Sequence, residues 1–582
     1  ILVNAAHSLT YRGYDSVGCA TLHEDGRIDL RKDVGKVASV AERLNFHEMR
    51  GQRGIVQLRW ATFGAPSQVN AQPHLDSDGD MVGAHNGNVV NNVQLRELFL
   101  SEGMILRGTN DGETCIHAVE RHFDRNGGDM LAAIRSAYVD LEGDYAFLIT
   151  HRDEERLYAI KKGSGLVAGR GEGMSVISSD LPSLLPLTRR IVRVYDGEIV
   201  VLTPDSVELY SVQDRAPIQR DEEWYDGPIE VAEKGGYPHF MLKEIHEQPT
   251  VAGELLHLLN SSRYVQPFLD ALTATGDRPV YLVGCGTSYH ACLLGAYYFN
   301  QIAGRPAVAV LGPQFIEQYD RSLGPRDTAV FVSQSGETKD VLNAVKVMRE
   351  RGGRVLGVLN VVGSSLAHAS DVYLPLACGY EISVPATKTF VNQAVLFLHL
   401  ATRLAGHDPA GLDPLPDLLT RTLDATDAAA REVAAYLHDW NDMYYLGYGV
   451  THPIALEGAL KLKEITYAHC EGIFSSEFKH GPLSAVHDGY PVLFITAPGD
   501  ESMMINHVNE VTVRGGRTII VAAEHEALRK NAHDYLVLPE ADRFTVPILA
   551  TIPAQLISYH VSVARGIDPD FPRNLSKTLT VD

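Results

Sequence analysis

The chain has 582 residues, 45% hydrophobic and 21% charged, which is globular composition, too long for one core and too apolar for wholesale disorder, so three or four domains are expected. Its 51 Lys and Arg against 73 Asp and Glu leave a net charge of −22, which argues against nucleic acid or an anionic membrane as partner while allowing a local pocket for a phosphorylated metabolite. No apolar run reads as long enough to span a bilayer, the stretch around Val395–Leu400 being broken by His399 and Arg403, and the six scattered cysteines form no Cys-x-x-Cys pair, which points to reduced thiols in a cytoplasmic protein.

The chain opens Ile-Leu-Val-Asn without a methionine, and Leu2, Val3, Ala6 and Leu9 have helical spacing. A start in mid-helix suggests a sequence that lacks its natural N-terminus. Strands are expected at 54–58, 81–84, 145–150 and 198–202, with helices at 92–102 and 115–125 between them. Alternating patterns and turn signals make residues 1–220 an α+β domain with antiparallel sheets. The stretch 221–261 begins polar and rich in Glu and Gly and reads as a linker.

The second half repeats itself. Gly284-Cys-Gly286 after an apolar run returns as Gly447-Tyr-Gly449, and Arg351-Gly-Gly-Arg354 returns as Arg514-Gly-Gly-Arg517, each displaced by 163 residues. The run 331–336 lies over 494–499 at the same offset. Two tandem copies follow, at 262–410 and 430–572, with a tail at 573–582. In each, short buried-strand runs such as 279–283, 329–332 and 355–359 precede Gly or Ser and then a helical stretch. That alternation defines α/β doubly wound sheets, whose ligands sit at the carboxyl ends of the strands. Gly284-Cys-Gly286 lacks the third glycine of a dinucleotide fingerprint, so no nucleotide cofactor is implied.

Ser333-Gln334-Ser335-Gly336-Glu337-Thr338 follows a strand and opens a helix, so its hydroxyls and backbone N–H groups form an anion cradle, with Thr287 and Ser288 able to line the same crevice. Plain N-capping explains the same residues, but the second copy reads Thr496-Ala-Pro-Gly499-Asp500-Glu501, which has lost hydroxyls and gained carboxylates. Only the first copy reads as an anion site. In the second copy Lys461 and Glu464 share one side of a helix whose apolar face includes Leu456, Leu460 and Ile465; a solvated ion pair is the bland alternative. His480 lies beside Gly481-Pro482, and the closing run Pro572 to Asp582, apolar enough to dock in a groove, could carry Lys577 into a site or form an edge strand. The histidines show no metal-ligand spacing, so no metal is expected.

Together these motifs resemble the glutamine–fructose-6-phosphate aminotransferase (isomerising), or glucosamine-6-phosphate synthase, family. The resemblance runs from Tyr11-Arg-Gly-Tyr-Asp-Ser16, Arg59-Trp-Ala-Thr62 and His85-Asn-Gly87 through Met241-Leu-Lys-Glu-Ile-His-Glu-Gln-Pro249, Ser333 to Thr338, Thr387-Lys388, Glu457 to Glu464 and Lys479-His-Gly-Pro482 to Asn574-Leu-Ser-Lys577. It implies an N-terminal nucleophile (Ntn) glutaminase domain followed by two sugar-isomerase (SIS) domains, acting on glutamine and fructose 6-phosphate, without cofactor, in a homodimer whose partner chain contributes to the sugar site. It implies that the sugar phosphate binds at Thr287, Ser288, Ser333, Gln334, Ser335, Thr338 and Val384. Lys577 would form a Schiff base with C2, Glu464 would move a proton between C1 and C2 with support from Lys461, and His480 would open the sugar ring. In the glutaminase half it implies that Arg59 and Asp111 hold the glutamine, that Arg12 lies in the same wall, that Asn86 and Gly87 are oxyanion donors, and that Trp60 gates an ammonia channel. Asn86-Gly87 is also a common turn dipeptide, and Arg59 could be a surface ion pair.

The family's nucleophile is a cysteine at position 1, where this sequence has Ile. Cys19, in an expected strand, is no substitute. Phe63 and Gln72 stand where the family usually has His, and Pro385-Ala386 replaces Ala-Ser. The competing readings are a paralogous sugar-phosphate isomerase or deglycase, an ammonia-dependent form, and a non-catalytic sugar-phosphate sensor.

Overall fold

The computed structural model describes residues 1–9, 15–59, 65–225, 234–260, 262–274, 276 and 278–577. The chain forms two compact units, one running to Val231 and one from Ala232 to Lys577.

The first unit is built on antiparallel sheets. Ser16–Leu22 is the centre of a three-stranded sheet between Ile28–Val34 and Arg53–Arg59. A seven-stranded sheet runs from Pro217–Ile218 through Val207–Ser211, Glu198–Leu202, Leu157–Lys162, Gly143–His151 and Met81–Val89 to His74–Leu75. Helices Asn92–Ser101, Asp111–Arg125 and Met130–Asp140 cover one face of it. There Ile116, Val119 and Ile134 pack on Tyr145, Phe147 and Ile149, which alternate along their strand.

The second unit holds two five-stranded parallel sheets of identical order. In the first, Ala307–Leu311 flanks Val280–Gly284, followed by Thr328–Ser333, Arg354–Leu359 and Val372–Pro375. In the second, His469–Phe474 flanks Asp442–Gly447, followed by Pro491–Ile495, Arg517–Ala523 and Asp534–Leu538. The third and fourth strands start at 328 and 354 in one copy and at 491 and 517 in the other, the 163-residue offset again. Both faces of the central strands Val280–Gly284, Thr328–Ser333 and Pro491–Ile495 are buried, as parallel sheets require, while the edge strands Ala307–Leu311 and His469–Phe474 carry exposed residues. Leu282, Val330 and Val332 enter the core shared by the two copies, while Tyr281, Val283, Ala329 and Phe331 face a separate one.

Two expectations are corrected. The stretch read as a linker contains the 20-residue helix Phe240–Leu259. Its apolar residues Met241, Ile245, Ala252, Leu255, Leu256 and Leu259 lie wholly inside the shared core, at a helical spacing obscured by the polar residues between them. Helix Val546–Ala564 is long and apolar enough to cross a membrane by length and composition, contrary to the reading of the apolar runs. Its most apolar window is 94% buried in the protein, which makes it the central core helix of this unit.

Candidate active site

Where the first copy's strands end, Thr328–Ser333 turns into the loop that opens helix Lys339–Glu350. Buried Ser333 accepts a hydrogen bond from the Gly336 N–H at 3.0 Å and shares another with Thr338 Oγ1 at 2.9 Å, and Ser335 Oγ accepts from Glu337 N–H at 3.1 Å. Gly336 has φ +68°, and a Cβ there would lie 2.0 Å from Ser364 Oγ, so only glycine fits. The result is a concave ring of hydroxyls at a helix N-terminus, suited to a phosphate. Asn360 ties this loop to its neighbour: its N–H donates to Gln334 O at 3.0 Å, and its side chain bonds Cys378 N at 3.0 Å and Gly379 O at 2.7 Å. Asn360 thus tethers the start of the loop Gly379 to Thr387 to the cradle.

Thr287 and Ser288 open helix Thr287–Gln301 after the first strand. Ser288 Oγ accepts from Gln393 at 3.1 Å, whereas Thr287 donates at 3.0 Å to Glu457 of the second copy, which also meets His290 Nδ1 at 2.7 Å. Helix His452–Thr466 carries Glu457 and does not sit as its pattern suggests. Leu456 and Leu460 are only half-buried, while Glu457 and Lys461 are 1% exposed. Lys461 Nζ lies 2.6 Å from Glu464 and 3.4 Å from Glu457. Burial opposes the Lys461 charge, but the two carboxylates overcome it and raise its pKa. Burial also raises the Glu464 pKa, against the lowering pull of Lys461 and of Lys577. The pair is an inward-facing charge cluster, not a solvated one.

Lys577 comes from the chain's other extreme. Its Nζ is 2.5 Å from Glu381 Oε2, with the lysine side chain 4% exposed and the carboxylate fully buried. Glu381 also accepts from the Thr387 and Thr389 N–H groups at 2.9 and 3.0 Å and from Thr389 Oγ1 at 2.8 Å. Burial raises its pKa, but Lys577 and these donors outweigh that and hold it low, so it is a carboxylate. The approach of the tail is fixed. Asp570 caps helix 240–259 through the Phe240 and Met241 N–H groups at 2.9 and 2.8 Å, and its carbonyl accepts from Val384 N at 2.8 Å. Arg573 N–H donates to the Tyr467 hydroxyl at 2.8 Å, and its guanidinium lies 4.0 Å over that ring. Residues 573–577 contain no strand, and the rest of the closing run lies outside the described residues. Glu244, Glu381 and the bridging role of Glu457 were not singled out in the sequence; the quoted Met241–Pro249 motif, with two glutamates in a presumed linker, was the available signal.

The other residues divide clearly. Val384 is buried in the Glu381 loop. His480 ends the 3-10 helix Ser475–His480 and is exposed; no described hydrogen bond or ion pair joins it to Lys577 or Glu464. In the second copy's cradle loop the carboxylate is not left to repel an anion, because Arg543 Nη1 lies 2.8 Å from Asp500 Oδ1 and donates to Pro498 O at 3.2 Å.

In the first unit, Asn86 and Gly87 lie within the strand Met81–Val89, opposite Ala146 and Tyr145, not in a turn. Gly87 has φ +113°, and a Cβ would meet Asp144 O at 2.1 Å. Asn86 Oδ1 accepts from Gln57 at 2.7 Å. Arg59 is 3% exposed, so it is not a surface pair; burial lowers its pKa against the pull of Asp111 and Asp15. Asp111 is fully buried, 3.3 Å from His85 Nε2, and accepts from Val89 N–H at 3.1 Å. Burial raises its pKa, and these contacts bring it below the usual range. Gln72 accepts from His85 N–H at 2.7 Å and donates to its carbonyl at 3.0 Å, pinning the strand beside Asn86. A cavity of about 910 Å³ borders His85 and Asn86. Cys19 is buried in Ser16–Leu22, and its thiol is pushed up to about 12, chiefly by burial, so it is not a nucleophile. Arg12, Trp60 and Phe63 lie outside the described residues.

An antiparallel unit with a buried carboxylate and arginine, followed by a duplicated parallel α/β unit with a hydroxyl-lined loop in one copy, is the arrangement of a glutamine amidotransferase domain followed by paired SIS domains. The glutamine amidotransferase domain family matches residues 59–186, and the SIS domain family matches 276–403 and 436–565. The chain is 39% identical to glutamine–fructose-6-phosphate aminotransferase [isomerizing] of Methanothermobacter thermautotrophicus over 100% of its own length and 97% of the relative's. The Pyrobaculum aerophilum enzyme of that name is likewise 39% identical, with the same coverage. The solved C-terminal domain of glucosamine-fructose-6-phosphate aminotransferase from Francisella tularensis matches 59% of this chain and all of its own, at 31% identity and a TM-score of 0.53. The chain belongs to the glutamine–fructose-6-phosphate aminotransferase (isomerising) family.

Proposed function

We propose that this protein transfers the amide nitrogen of glutamine to fructose 6-phosphate and isomerises the product to glucosamine 6-phosphate, releasing glutamate. The observation that carries the reading is the Lys577 amine, brought from the end of the chain to a buried carboxylate within electrostatic reach of Glu464. A binding protein needs neither this amine nor the buried Lys461–Glu464 pair.

The cradle of Ser333, Gln334, Ser335 and Thr338, with Thr287 and Ser288, holds the sugar phosphate, and Val384 lines the crevice beside it. Lys577 condenses with the C2 carbonyl and expels water. Ammonia then replaces the lysine on C2. Glu464 takes a proton from C1 and returns one to C2, leaving an aldehyde at C1 and an amine at C2, while Lys461 fixes the carboxylate. His480 serves ring opening; its exposure fits a group that completes the site of another copy, in a homodimer. In the first unit Asp111 and Arg59 bind the amino and carboxylate groups of glutamine, with Arg12 in the same wall, and the Asn86 amide and Gly87 N–H stabilise the tetrahedral intermediate that a nucleophile forms on the amide carbon before ammonia leaves. No residue of this sequence is assigned to supply that nucleophile, position 1 being Ile. Trp60 gates the ammonia channel. A cytoplasmic setting fits these substrates and the free thiols of all six cysteines.

The test is borohydride reduction of protein mixed with fructose 6-phosphate, followed by mass spectrometry. A hexitol phosphate on Lys577 is expected, and none in Lys577→Ala, which also loses hexosamine phosphate formation. Full turnover by Lys577→Ala would sink the assignment.

A further inference from the structure

The tail that carries Lys577 is tied to the helix that carries Glu464. Helix His452–Thr466 ends on Tyr467, whose φ of +61° and ψ of 12° put it in the left-handed region. Helices commonly end on a glycine in that conformation, because a side chain there is crowded against its own backbone. Here the position is a half-buried tyrosine, and its side chain is in use. The hydroxyl accepts from the Arg573 N–H at 2.8 Å, and the ring lies 4.0 Å from the Arg573 guanidinium. The helix end is fixed in turn. Tyr467 N–H donates to Lys463 O at 3.2 Å, and Arg565 Nη1 donates to Thr466 O at 2.9 Å.

The tail turns just after this anchor. Asn574 has φ +60°, and Lys577 follows three residues later with its Nζ against Glu381. Upstream, Asp570 holds the tail to helix Phe240–Leu259 and to Val384. Asp570 thus ties the tail to the elements around Glu381, and Tyr467 ties it to the element of Glu464. Glu464 lies three residues before Tyr467, less than one helical turn. The same helix reaches the first copy through Glu457, which accepts from Thr287 at 3.0 Å.

We propose that Tyr467 is a positioning residue that sets Lys577 in register with Glu464. The inference rests on the roles assigned to those two residues above. Lys577 bonds to C2 and Glu464 moves a proton at C1, so groups far apart in the chain must meet adjacent carbons of one substrate. The ion pair with Glu381 holds the Nζ atom of the resting lysine but not the backbone behind it. That backbone has to stay in place once Nζ is bonded to C2. A main-chain N–H bonded into the base's own helix supplies this, and a misplacement of about 1 Å at reacting atoms costs about 10²-fold. The proton step bears that cost, whereas imine formation tolerates it, because the flexible lysine stem reaches C2 from more than one backbone position.

The experiment compares wild type with Tyr467→Phe, which keeps the ring beside Arg573 and removes only the acceptor. Two partial reactions are read on the full chain, together with KM for fructose 6-phosphate. One is the borohydride-trapped Lys577 adduct with fructose 6-phosphate alone; the other is washout of a C1 deuterium with ammonium chloride as nitrogen donor. Tyr467→Phe is expected to keep the adduct yield and KM of wild type while washout falls about 10–100-fold. Equal washout in the two proteins, or a proportional fall of adduct and washout, overturns this inference and leaves the imine role of Lys577 standing. Absence of any adduct in wild type overturns the proposed function and this inference with it. Should Tyr467→Phe not fold, Arg573→Pro removes the donor of the same hydrogen bond. It must show the same selective loss of washout, and wild-type washout there overturns the inference.

Discussion

Glu464 and Glu244 are both carboxyl groups whose pKa is raised by burial, and the direction has opposite uses. In the proposed mechanism Glu464 is ionised when it takes the C1 proton, so activity should rise with pH through its elevated pKa. Glu464→Gln should lose about 10²–10⁴-fold in kcat, and washout of a C1 deuterium from fructose 6-phosphate should stop while phosphate binding persists. Glu244 acts on stability. Its native form keeps a proton that the unfolded chain releases near pH 4.5, so its contribution is complete below that value and declines until about 8. Across that window the slope is at most about 1.4 kcal/mol per pH unit. Glu244→Gln should therefore gain Tm relative to wild type as pH rises from 5 to 8, and thermal melts at several pH values check this. The spacing of Lys461 and Glu464 was legible in the sequence, but their inward orientation was not. A hydrophobic pattern votes for Leu456 and Leu460 as the buried face; the contacts of Glu457 with Thr287 and His290, 170 and 167 residues away, turn the helix the other way.

At the scale of elements, polar residues at the junctions do the positioning. Asp570 satisfies the first N–H groups of helix 240–259 and sits in the tail that delivers Lys577. Asp570→Ala should cost roughly 1–3 kcal/mol, because buried donors are left unpaired. It should also lower the yield of trapped adduct, measured by melting and by the borohydride assay. Gly336→Ala should cost about 1–2 kcal/mol for the left-handed backbone alone, and KM for the sugar phosphate should rise as Ser364 is displaced. The cradle loop could be read from its residues because strand, Ser-Gly turn and helix follow one another locally. Helix 240–259 could not, since its capping group lies more than 300 residues downstream. Asn86-Gly87 misled in the same way: the pair reads locally as a turn, whereas register with Ala146 and Tyr145 makes it strand.

For the molecule as a whole, the constant 163-residue offset between copies made the paired parallel sheets legible, and the shared strand order carries it into three dimensions. The two activities should be separable. With Asp111 holding glutamine's amino group as proposed, Asp111→Asn should abolish glutamine-dependent synthesis while leaving synthesis from free ammonia intact, as a hexosamine phosphate assay with each nitrogen donor would report. The duplication is not functional symmetry, however, because Arg543 already occupies the second cradle loop by pairing with Asp500. With that loop committed to an internal salt bridge and stripped of the hydroxyls of the first copy, one sugar-phosphate site per chain is expected from two homologous folds. Calorimetric titration with inorganic phosphate should saturate at a single equivalent per polypeptide, and a dimer would carry two catalytic pockets among four homologous lobes.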